Sequence, residues 1–310
     1  MKILYLKYAV EIAKIGSLNK AAEELCIAQP NLSRAIKELE KELNIVIFER
    51  NAKGMTLTPD GEKLIQYGRK ILKEIDDVER LFGDSSLGKK RFSVSVPRAS
   101  YIGDAFASFS LEANALNNVE MFYKETNALR AIKNILEEDY NLGIIRYAVN
   151  YDSYYKTMLE EKDLYSEVLN EFRYTLIMNK KNPLALLPEI RYTDLENYVE
   201  IAHADPYVPS LPFSMVRKEE LPDNIRKRIF VFERASQFEV LCKNASTFMW
   251  VSPMSQSTLD RFDLVQRECV DNVKKYKDVL IYRNDYKLSS LDKAFVSELE
   301  KSIKIFNAKA

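Results

Sequence analysis

The sequence pattern changes once, near residue 90, and this change constrains the fold more than any other feature. Up to about residue 82, apolar residues recur at helical spacing around one short hairpin pattern. From residue 91, short apolar strands alternate with helical stretches, which is typical of parallel sheets joined by crossovers. The 310 residues also exceed one ordinary domain. We therefore expect a helical N-terminal domain followed by an α/β region in two lobes.

The N-terminal domain is predicted to hold three helices and a hairpin. Gly16 ends a first helix over residues 3–15, and Ser17 caps a second helix that reaches about residue 25. A tight link leads to a third helix over residues 29–43. Two extended pieces around Gly54 then form a β-hairpin wing. This order predicts a winged helix-turn-helix domain over residues 1–58.

The third helix has two chemically different faces. Its apolar face, which we expect to be buried, carries Leu32, Ala35, Ile36, Leu39 and Leu43. Its opposite face, on which every charge is positive, carries Pro30, Ser33, Arg34, Lys37 and Lys41.

This basic face is local, because 46 Lys+Arg balance 46 Asp+Glu over the whole chain. A globally basic nucleic-acid coat is therefore excluded. Taken alone, the face could be an ordinary solvated surface. Its setting after a tight turn and before a wing favours a helix that enters the major groove of DNA.

A long helix is predicted from Pro59, behind a capping Thr58, to about residue 82. Its apolar residues at 64, 68, 71, 75, 78 and 82 form a seam for a partner helix, or alternatively for a contact within the same chain. Residues 83–90 are polar and contain two glycines. We expect residues 59–90 to be a dimerisation helix and hinge.

The α/β region is predicted from short apolar runs between helical stretches. The expected strands lie at 92–96, 119–124, 142–146, 173–178, 199–202, 229–232, 248–251 and 279–282.

The residues of chemical interest do not form a catalytic or cofactor site. Neither GxGxxG nor a P-loop occurs, so no cofactor is expected. His203 is the only histidine and the three cysteines, Cys26, Cys242 and Cys269, are far apart, which excludes the usual zinc spacings. Redox pairing of Cys242 with Cys269 is an alternative to inert buried thiols. SxxK at Ser17 and Ser290 fits helix caps better than nucleophiles.

The location of the protein and its lack of enzymatic activity are predicted from the motifs that the sequence does not contain. The N-terminus lacks a signal-peptide apolar region, and no uncharged run approaches membrane-spanning length. Three cysteines do not make a disulfide scaffold. We expect a cytoplasmic protein that is not an enzyme and does not enter a membrane.

Four motifs carry a resemblance to a known family. They are SLNKAAEEL (17–25), QPNLSRAIKELE (29–40), IFER (47–50) and LTPDG (57–61). With them, residues 1–82 resemble LysR-type transcriptional regulators. At lower density NLGII (141–145), KNPLA (181–185) and FMWVSP (248–253) are similar to segments of the same family.

The resemblance implies a fold and an assembly. It implies a winged helix-turn-helix and linker helix followed by a two-lobed, periplasmic-binding-protein-like α/β effector domain over 91–310. Lobe I would comprise about 91–163 plus 267–310, and lobe II about 164–266. The chain would form homodimers or homotetramers, bind double-stranded promoter DNA, and be switched by a small molecule between the lobes.

The resemblance also implies site residues. The DNA-binding candidates are Gln29, Pro30, Asn31, Ser33, Arg34, Lys37, Arg50 and Lys53. The effector candidates are chosen on a different ground, because they lie at predicted strand ends and helix starts that should line the cleft between the lobes. They are Arg98, Ser100, Tyr101, Thr126, Asn127, Tyr147, His203, Ser246 and Thr247. We expect a small polar or anionic effector, with hydrogen bonds from Ser100 and Thr126 and with Arg98 facing a carboxylate.

Departures from the family pattern leave alternatives open. Ala28 lacks the capping hydroxyl often found before the third helix, and residues 243–247 replace a glycine turn of lobe II. One alternative is a DNA-binding regulator without a small-molecule effector. Another is a solute-binding protein or enzyme that carries a helical N-terminal domain.

Overall fold

A computed structural model describes residues 2–51, 54–82, 90–203, 225–231 and 234–307. The chain divides into two compact units, Met1–Gly88 and Lys89–Ala310.

The N-terminal unit is a helical cluster with a two-stranded antiparallel wing. Its helices are α1 Ile3–Ile15, α2 Leu18–Glu24, α3 Gln29–Leu43 and α4 Pro59–Phe82. Its strands are β1 Phe48–Asn51 and β2 Gly54–Leu57.

The predicted helix boundaries of this unit are confirmed by their caps. Gly16 is left-handed, at φ 72°, and its N–H donates to the Ile12 carbonyl at 2.8 Å. The Ser17 side chain accepts from the Lys20 N–H at the start of α2. Ala28, as expected, supplies no side-chain cap to α3. The apolar face of α3 packs into the core through its buried side chains Leu32, Ala35, Ile36 and Leu39.

Two glycines allow α4 to approach its neighbours closely. A Cβ on Gly61 would lie 2.1 Å from the Ile47 carbonyl oxygen, and one on Gly68 would lie 2.9 Å from Leu6 Cδ1. The first part of the predicted seam on α4 therefore faces α1 of the same chain. Further along, Ile71 and Val78 remain 39% and 52% exposed.

Lobe I is built on a five-stranded sheet in the order β4-β3-β5-β12-β6. Its strands are β3 Lys90–Val96, β4 Val119–Glu125, β5 Leu142–Ala148, β6 Leu164–Arg173 and β12 Lys275–Arg283. Its helices are α5 Ser100–Phe109, α6 Ala128–Glu137, α7 Asp152–Glu161 and the C-terminal helix, here α10, Ser290–Asn307.

Lobe II is built on a second five-stranded sheet in the order β11-β7-β10-β8-β9. Its strands are β7 Thr175–Asn179, β8 Val199–His203, β9 Lys227–Val231, β10 Thr247–Val251 and β11 Leu264–Arg267. Its helices, here α8 and α9, are Arg234–Lys243 and Gln256–Arg261, beside two short 3-10 helices at Pro183–Leu186 and Tyr192–Asn197.

The eight expected strands are present, but β6 and β11 were not expected, and β6 corrects a lobe boundary. The predicted start of lobe II at residue 164 is wrong, because β6 pairs with β12 from Arg173 to Leu164 and belongs to lobe I. Its sequence, LYSEVLNEFR, holds no continuous apolar run that would have marked it as a strand. The sheets are also mixed, since β12 runs antiparallel to both of its neighbours and β7 antiparallel to β10.

Candidate nucleic-acid interface and inter-lobe site

The outer face of α3 presents the predicted DNA-binding residues. Pro30, Asn31, Arg34 and Lys37 are exposed, and Gln29 and Ser33 at the start of the helix are half-buried. The arrangement follows from the buried apolar face, because residues that alternate with Leu32, Ala35 and Leu39 at helical spacing must point outward.

Two acidic residues beside the front of α3, both in the described part of the chain, form hydrogen bonds with neutral groups and no ion pair with its cations. Glu38 accepts a hydrogen bond from the Tyr5 hydroxyl at 2.9 Å, and Glu40 accepts the Ile47 N–H at 2.8 Å. The side chains of Arg34 and Lys37 form no ion pair with any residue that the structure describes. Two unneutralised cations beside exposed polar groups suit phosphate and base-edge contacts.

Glu40 also fixes the wing against α3. Its Oε1 accepts a second N–H, that of Phe48 at 3.4 Å, so one carboxylate anchors the beginning of β1 to α3. In the wing itself, Arg50 pairs with Met55 in the hairpin. The Arg50 side chain and Lys53, both predicted to contact the DNA backbone, lie outside what the structure describes.

The strand registers identify which sheet edges face the chain crossings between the lobes. At one crossing β6 ends at Arg173 and β7 begins at Thr175, and at the other β12 begins at Lys275. Tyr276 lies opposite Ala148, the last residue of β5. Since β3 and β4 run parallel to β5, the carboxyl ends of all three strands lie at this edge of lobe I.

Four of the lobe I effector candidates follow those strand ends directly. Arg98 and Ser100 follow β3, and Thr126 and Asn127 follow β4; the Thr126 N–H donates to the Val96 carbonyl at 2.8 Å and brings the two turns together. The Ser100 and Thr126 side chains are buried and Arg98 is half-buried. Asn127 serves as a cap, because its side chain accepts the Arg130 N–H at 2.9 Å.

Both candidate tyrosines are already engaged within lobe I. The Tyr101 hydroxyl donates to Asp278, and the Tyr147 hydroxyl donates to Asp152 at 3.1 Å. Burial, reinforced by the adjacent carboxylate, raises the pKa of each phenol well above its usual range. Both therefore remain neutral at physiological pH. Their hydroxyls donate within lobe I and stabilise its edge, so they are not available as donors to a ligand.

The sequence did not lead us to predict the buried ion pair that lies beneath this edge of lobe I. Arg146 on β5 and Asp278 on β12 form a buried ion pair, and Arg146 Nη1 also donates to the Arg98 carbonyl at 3.4 Å. The signals that could have indicated the pair were an arginine inside the otherwise apolar strand LGIIRYA and an aspartate directly before the apolar run VLIY of KYKDVLIYR.

The structure separates the lobe II candidates, and this corrects the prediction for Ser246 and Thr247. His203 ends β8, opposite Val231 at the end of β9. Thr247 instead begins β10, opposite Val199 at the beginning of β8. Four residues of strand, about 13 Å, therefore separate the two positions. The buried Thr247 hydroxyl donates to the Asn244 carbonyl at 2.7 Å, which completes the turn that replaces the expected glycine.

The sequence model described as "Bacterial regulatory helix-turn-helix protein, lysR family" matches residues 4–62, the segment that holds α1 to α3 and the wing. Residues 4–62 of this chain thus match the helix-turn-helix domain of the LysR family. The resemblance on which the sequence motifs converged is thereby confirmed.

The curated relatives that match this chain are named as regulators. The uncharacterized HTH-type transcriptional regulator YcgK of Bacillus subtilis is 42% identical over 98 residues, which cover 31% of this chain and 30% of YcgK. CzcR of the same organism is 28% identical over 171 residues, 55% of each chain. The chain thus spans from about a third to about half the length of these relatives.

Solved structures extend the likeness of fold to the whole chain. A full-length OxyR variant of Pseudomonas aeruginosa matches with a TM-score of 0.60 at 16% identity, covering 99% of this chain and 95% of OxyR. CbnR bound to its target DNA matches with a TM-score of 0.56 at 17% identity, covering 97% and 100%. These matches confirm the fold class: an N-terminal helix-turn-helix followed by a two-lobed α/β region.

Two further observations concern the described residues only. None of their helices is both long and apolar enough to cross a bilayer. They also contain no group of three His, Cys, Asp or Glu side chains placed to hold a metal ion.

Proposed function

We propose that this protein is a cytoplasmic transcriptional regulator of the LysR type that reads promoter DNA with α3 and is not an enzyme. The observation that carries the proposal is the exposed, positively charged face of α3 on a domain that matches the family over residues 4–62. The names of the curated relatives, all transcriptional regulators, support the same activity. Arg34 and Gln29 suit guanine and adenine edges, and Lys37, Arg50 and Lys53 suit phosphates.

The DNA site should reflect assembly of the chain into a homodimer or homotetramer. Support comes from the exposed apolar side chains Ile71 and Val78 on α4, which suit a partner helix. A two-fold dimer presents two reading helices, so half-sites should form an interrupted inverted repeat about one helical turn, or a multiple of it, apart. Hydroxyl-radical footprinting tests this. A single unrepeated protected patch would contradict the dimeric assembly.

The inter-lobe edge is the proposed effector site. Ser100 and Thr126 at the edge of lobe I, with Arg98 beside them and His203 at the edge of lobe II, are polar groups suited to a small polar or anionic molecule. A thermal-shift screen of a metabolite panel tests this assignment. We expect any stabilising ligand to lose most of its effect on Ser100→Ala and to keep it on Ser246→Ala, since Ser246 lies at the other end of lobe II. Equal response of both variants and wild type to every ligand would contradict the site.

A second candidate is a regulator of the same kind without a small-molecule effector. It is favoured by the hydrogen bonds of Tyr101, Tyr147 and Thr247 inside the protein, which leave fewer groups for a ligand. A ligand-dependent change in the DNA footprint would decide in favour of the effector.

A further inference from the structure

Lobe II carries a surface cleft of about 430 Å³ that is separate from the inter-lobe edge. It lies where β7 ends at Asn179, α8 ends at Lys243 and α9 ends at Arg261. The chain crosses between the lobes at Thr175, the other end of β7. The cleft therefore opens at the end of lobe II remote from lobe I, and its size is in the range of small-molecule sites.

More cations than carboxylates line the cleft, and the one lining carboxylate has an ion-pair partner whereas the lining cations have none among the described residues. Three cations, Lys181, Lys243 and Arg261, line it together with one carboxylate, that of Asp263. Asp263 is paired with Lys180 outside the cleft at 3.3 Å. In the described part of the chain, the three lining cations have no ion-pair partner. In the described lining of the cleft, cations thus outnumber the one carboxylate, which is itself paired with Lys180.

Contacts within lobe II hold Phe262, an aromatic residue that lines the cleft, in place. The Phe262 ring stacks on Phe238, with ring centroids 4.5 Å apart and planes 10° apart. Cys242 Sγ donates to the Phe262 carbonyl at 3.0 Å, and Asn179 Nδ2 donates to the Cys242 carbonyl at 2.9 Å. These contacts hold Phe262 beside the three cations that line the same cleft, a combination that suits an organic group bearing a negative charge.

The thiol of Cys242 has no reactive role in this cleft. Burial, together with the nearby Glu239 and Asp263 carboxylates, raises its pKa above the ordinary value. A neutral thiol is a poor nucleophile. It does offer a chemical reporter at the cleft, because it is partly exposed.

We propose that this cleft binds a small organic dianion, a phosphate monoester or a dicarboxylate, with its charge between Lys181, Lys243 and Arg261 and its apolar part on Phe262. Two negative charges would offset most of the excess positive charge of the rim. The site is distinct from the proposed effector site and does not depend on it.

The test is the alkylation rate of Cys242 by iodoacetamide in the full chain, followed by peptide mass spectrometry at fixed ionic strength. The probes are phenyl phosphate and phthalate, with phenol as the uncharged control. We expect at least one anion to slow Cys242 alkylation several-fold, and phenol to have no effect. The exposed Cys26 in the other unit should react at an unchanged rate, which makes it an internal reference.

Variants show whether the rim cations hold the anion. Lys243→Gln combined with Arg261→Gln should abolish the protection, whereas Lys287→Gln, an exposed lysine of lobe I, should keep it. Three results would overturn the proposal: no protection by either anion, equal slowing at Cys26, or protection that survives the double substitution. Protection by duplex DNA alone would also overturn it, in favour of a nucleic-acid contact.

Discussion

Arg146 and Asp278 lie directly opposite each other on β5 and β12 and are joined by two hydrogen bonds, Nε to Oδ1 at 2.7 Å and Nη2 to Oδ2 at 2.6 Å. The Asp278 side chain is 0% exposed and that of Arg146 is 9% exposed. The guanidinium also stacks over the Phe172 ring at 4.6 Å. Burial opposes the charge on Arg146, but the Asp278 carboxylate outweighs burial and raises the pKa of Arg146.

Breaking this pair should destabilise the C-terminal unit strongly. Arg146→Met leaves a buried carboxylate without its cation, at a cost of about 3–5 kcal/mol. Urea unfolding is followed by the fluorescence of Trp250, the only tryptophan, which lies in lobe II. If the substitution in lobe I lowers the free energy of unfolding that Trp250 reports, the two lobes unfold together. The double variant Arg146→Met, Asp278→Leu should recover much of the stability. Equal loss in the single and double variants would mean that the pair's charge balance is unimportant.

The stability contributed by Asp152 should depend on pH. Burial opposes ionisation of Asp152, but hydrogen bonds from Lys156, Lys277 and Tyr147 outweigh it and lower its pKa. A lowered folded-state pKa stabilises the fold above the unfolded value of about 3.9, and the contribution disappears as the pH falls through the folded value.

Asp152→Asn should therefore reduce the thermal stability at pH 7, and its difference from wild type should narrow below about pH 4. Asp285→Asn, at an exposed aspartate of lobe I, is the matched control and should show no such trend. A difference between Asp152→Asn and wild type that is constant from pH 7 to pH 3 would refute the assignment.

Gly61 and Gly68 should tolerate an added methyl group unequally. At Gly61 the new Cβ would meet a backbone carbonyl oxygen at 2.1 Å, whereas at Gly68 it would meet the tip of the Leu6 side chain at 2.9 Å. A backbone atom cannot move aside as a flexible side chain can, so Gly61→Ala should cost about 3 kcal/mol or more and Gly68→Ala about 1 kcal/mol. Calorimetry of the N-terminal transition measures both. The reverse ranking would contradict the close approach of α4 to Ile47.

Glu40 should stabilise the position of the wing through the one side-chain oxygen that accepts two backbone N–H groups. Glu40→Ala removes the acceptor for the Ile47 and Phe48 N–H groups, and should weaken DNA binding severalfold by loosening the wing. Glu40→Gln keeps an acceptor oxygen and should bind nearly as wild type does. Electrophoretic mobility shifts with one duplex compare the variants, and equal weakening by both would show that the negative charge matters instead.

The N-terminal unit was largely predictable because its determinants are local. Helical periodicity assigned the buried Leu32 and the exposed Arg34 to opposite faces of α3, and short-range caps at Gly16, Ser17 and Thr58 placed the helix ends. Whether the seam on α4 faces its own chain or a partner was not predictable. That depends on the contact of Gly68 with Leu6, which are 62 positions apart in the sequence.

The C-terminal unit was predictable in its elements and less so in their pairing. Strand β6 was missed because its partner β12 lies about a hundred residues later, and a mixed polar pattern does not reveal that register. For the same reason, Ser246 and Thr247 were grouped with His203, although the parallel register of β8 and β10 places them at opposite ends. The hydrogen bond from Tyr101 to Asp278 was not predictable, because the two residues are far apart in the sequence.

The central claim, that α3 reads a specific DNA sequence, is tested most directly by a salt-series binding titration. The duplex immediately upstream of the protein's own gene is compared with a scrambled duplex of equal length, for wild type, Arg34→Ala and the surface control Lys301→Ala. We predict a preference for the native duplex that persists as salt rises, a loss of about 1–3 kcal/mol in Arg34→Ala, and no change in Lys301→Ala. Failure to bind either duplex at low salt, or binding that Arg34→Ala leaves unchanged, would contradict the account.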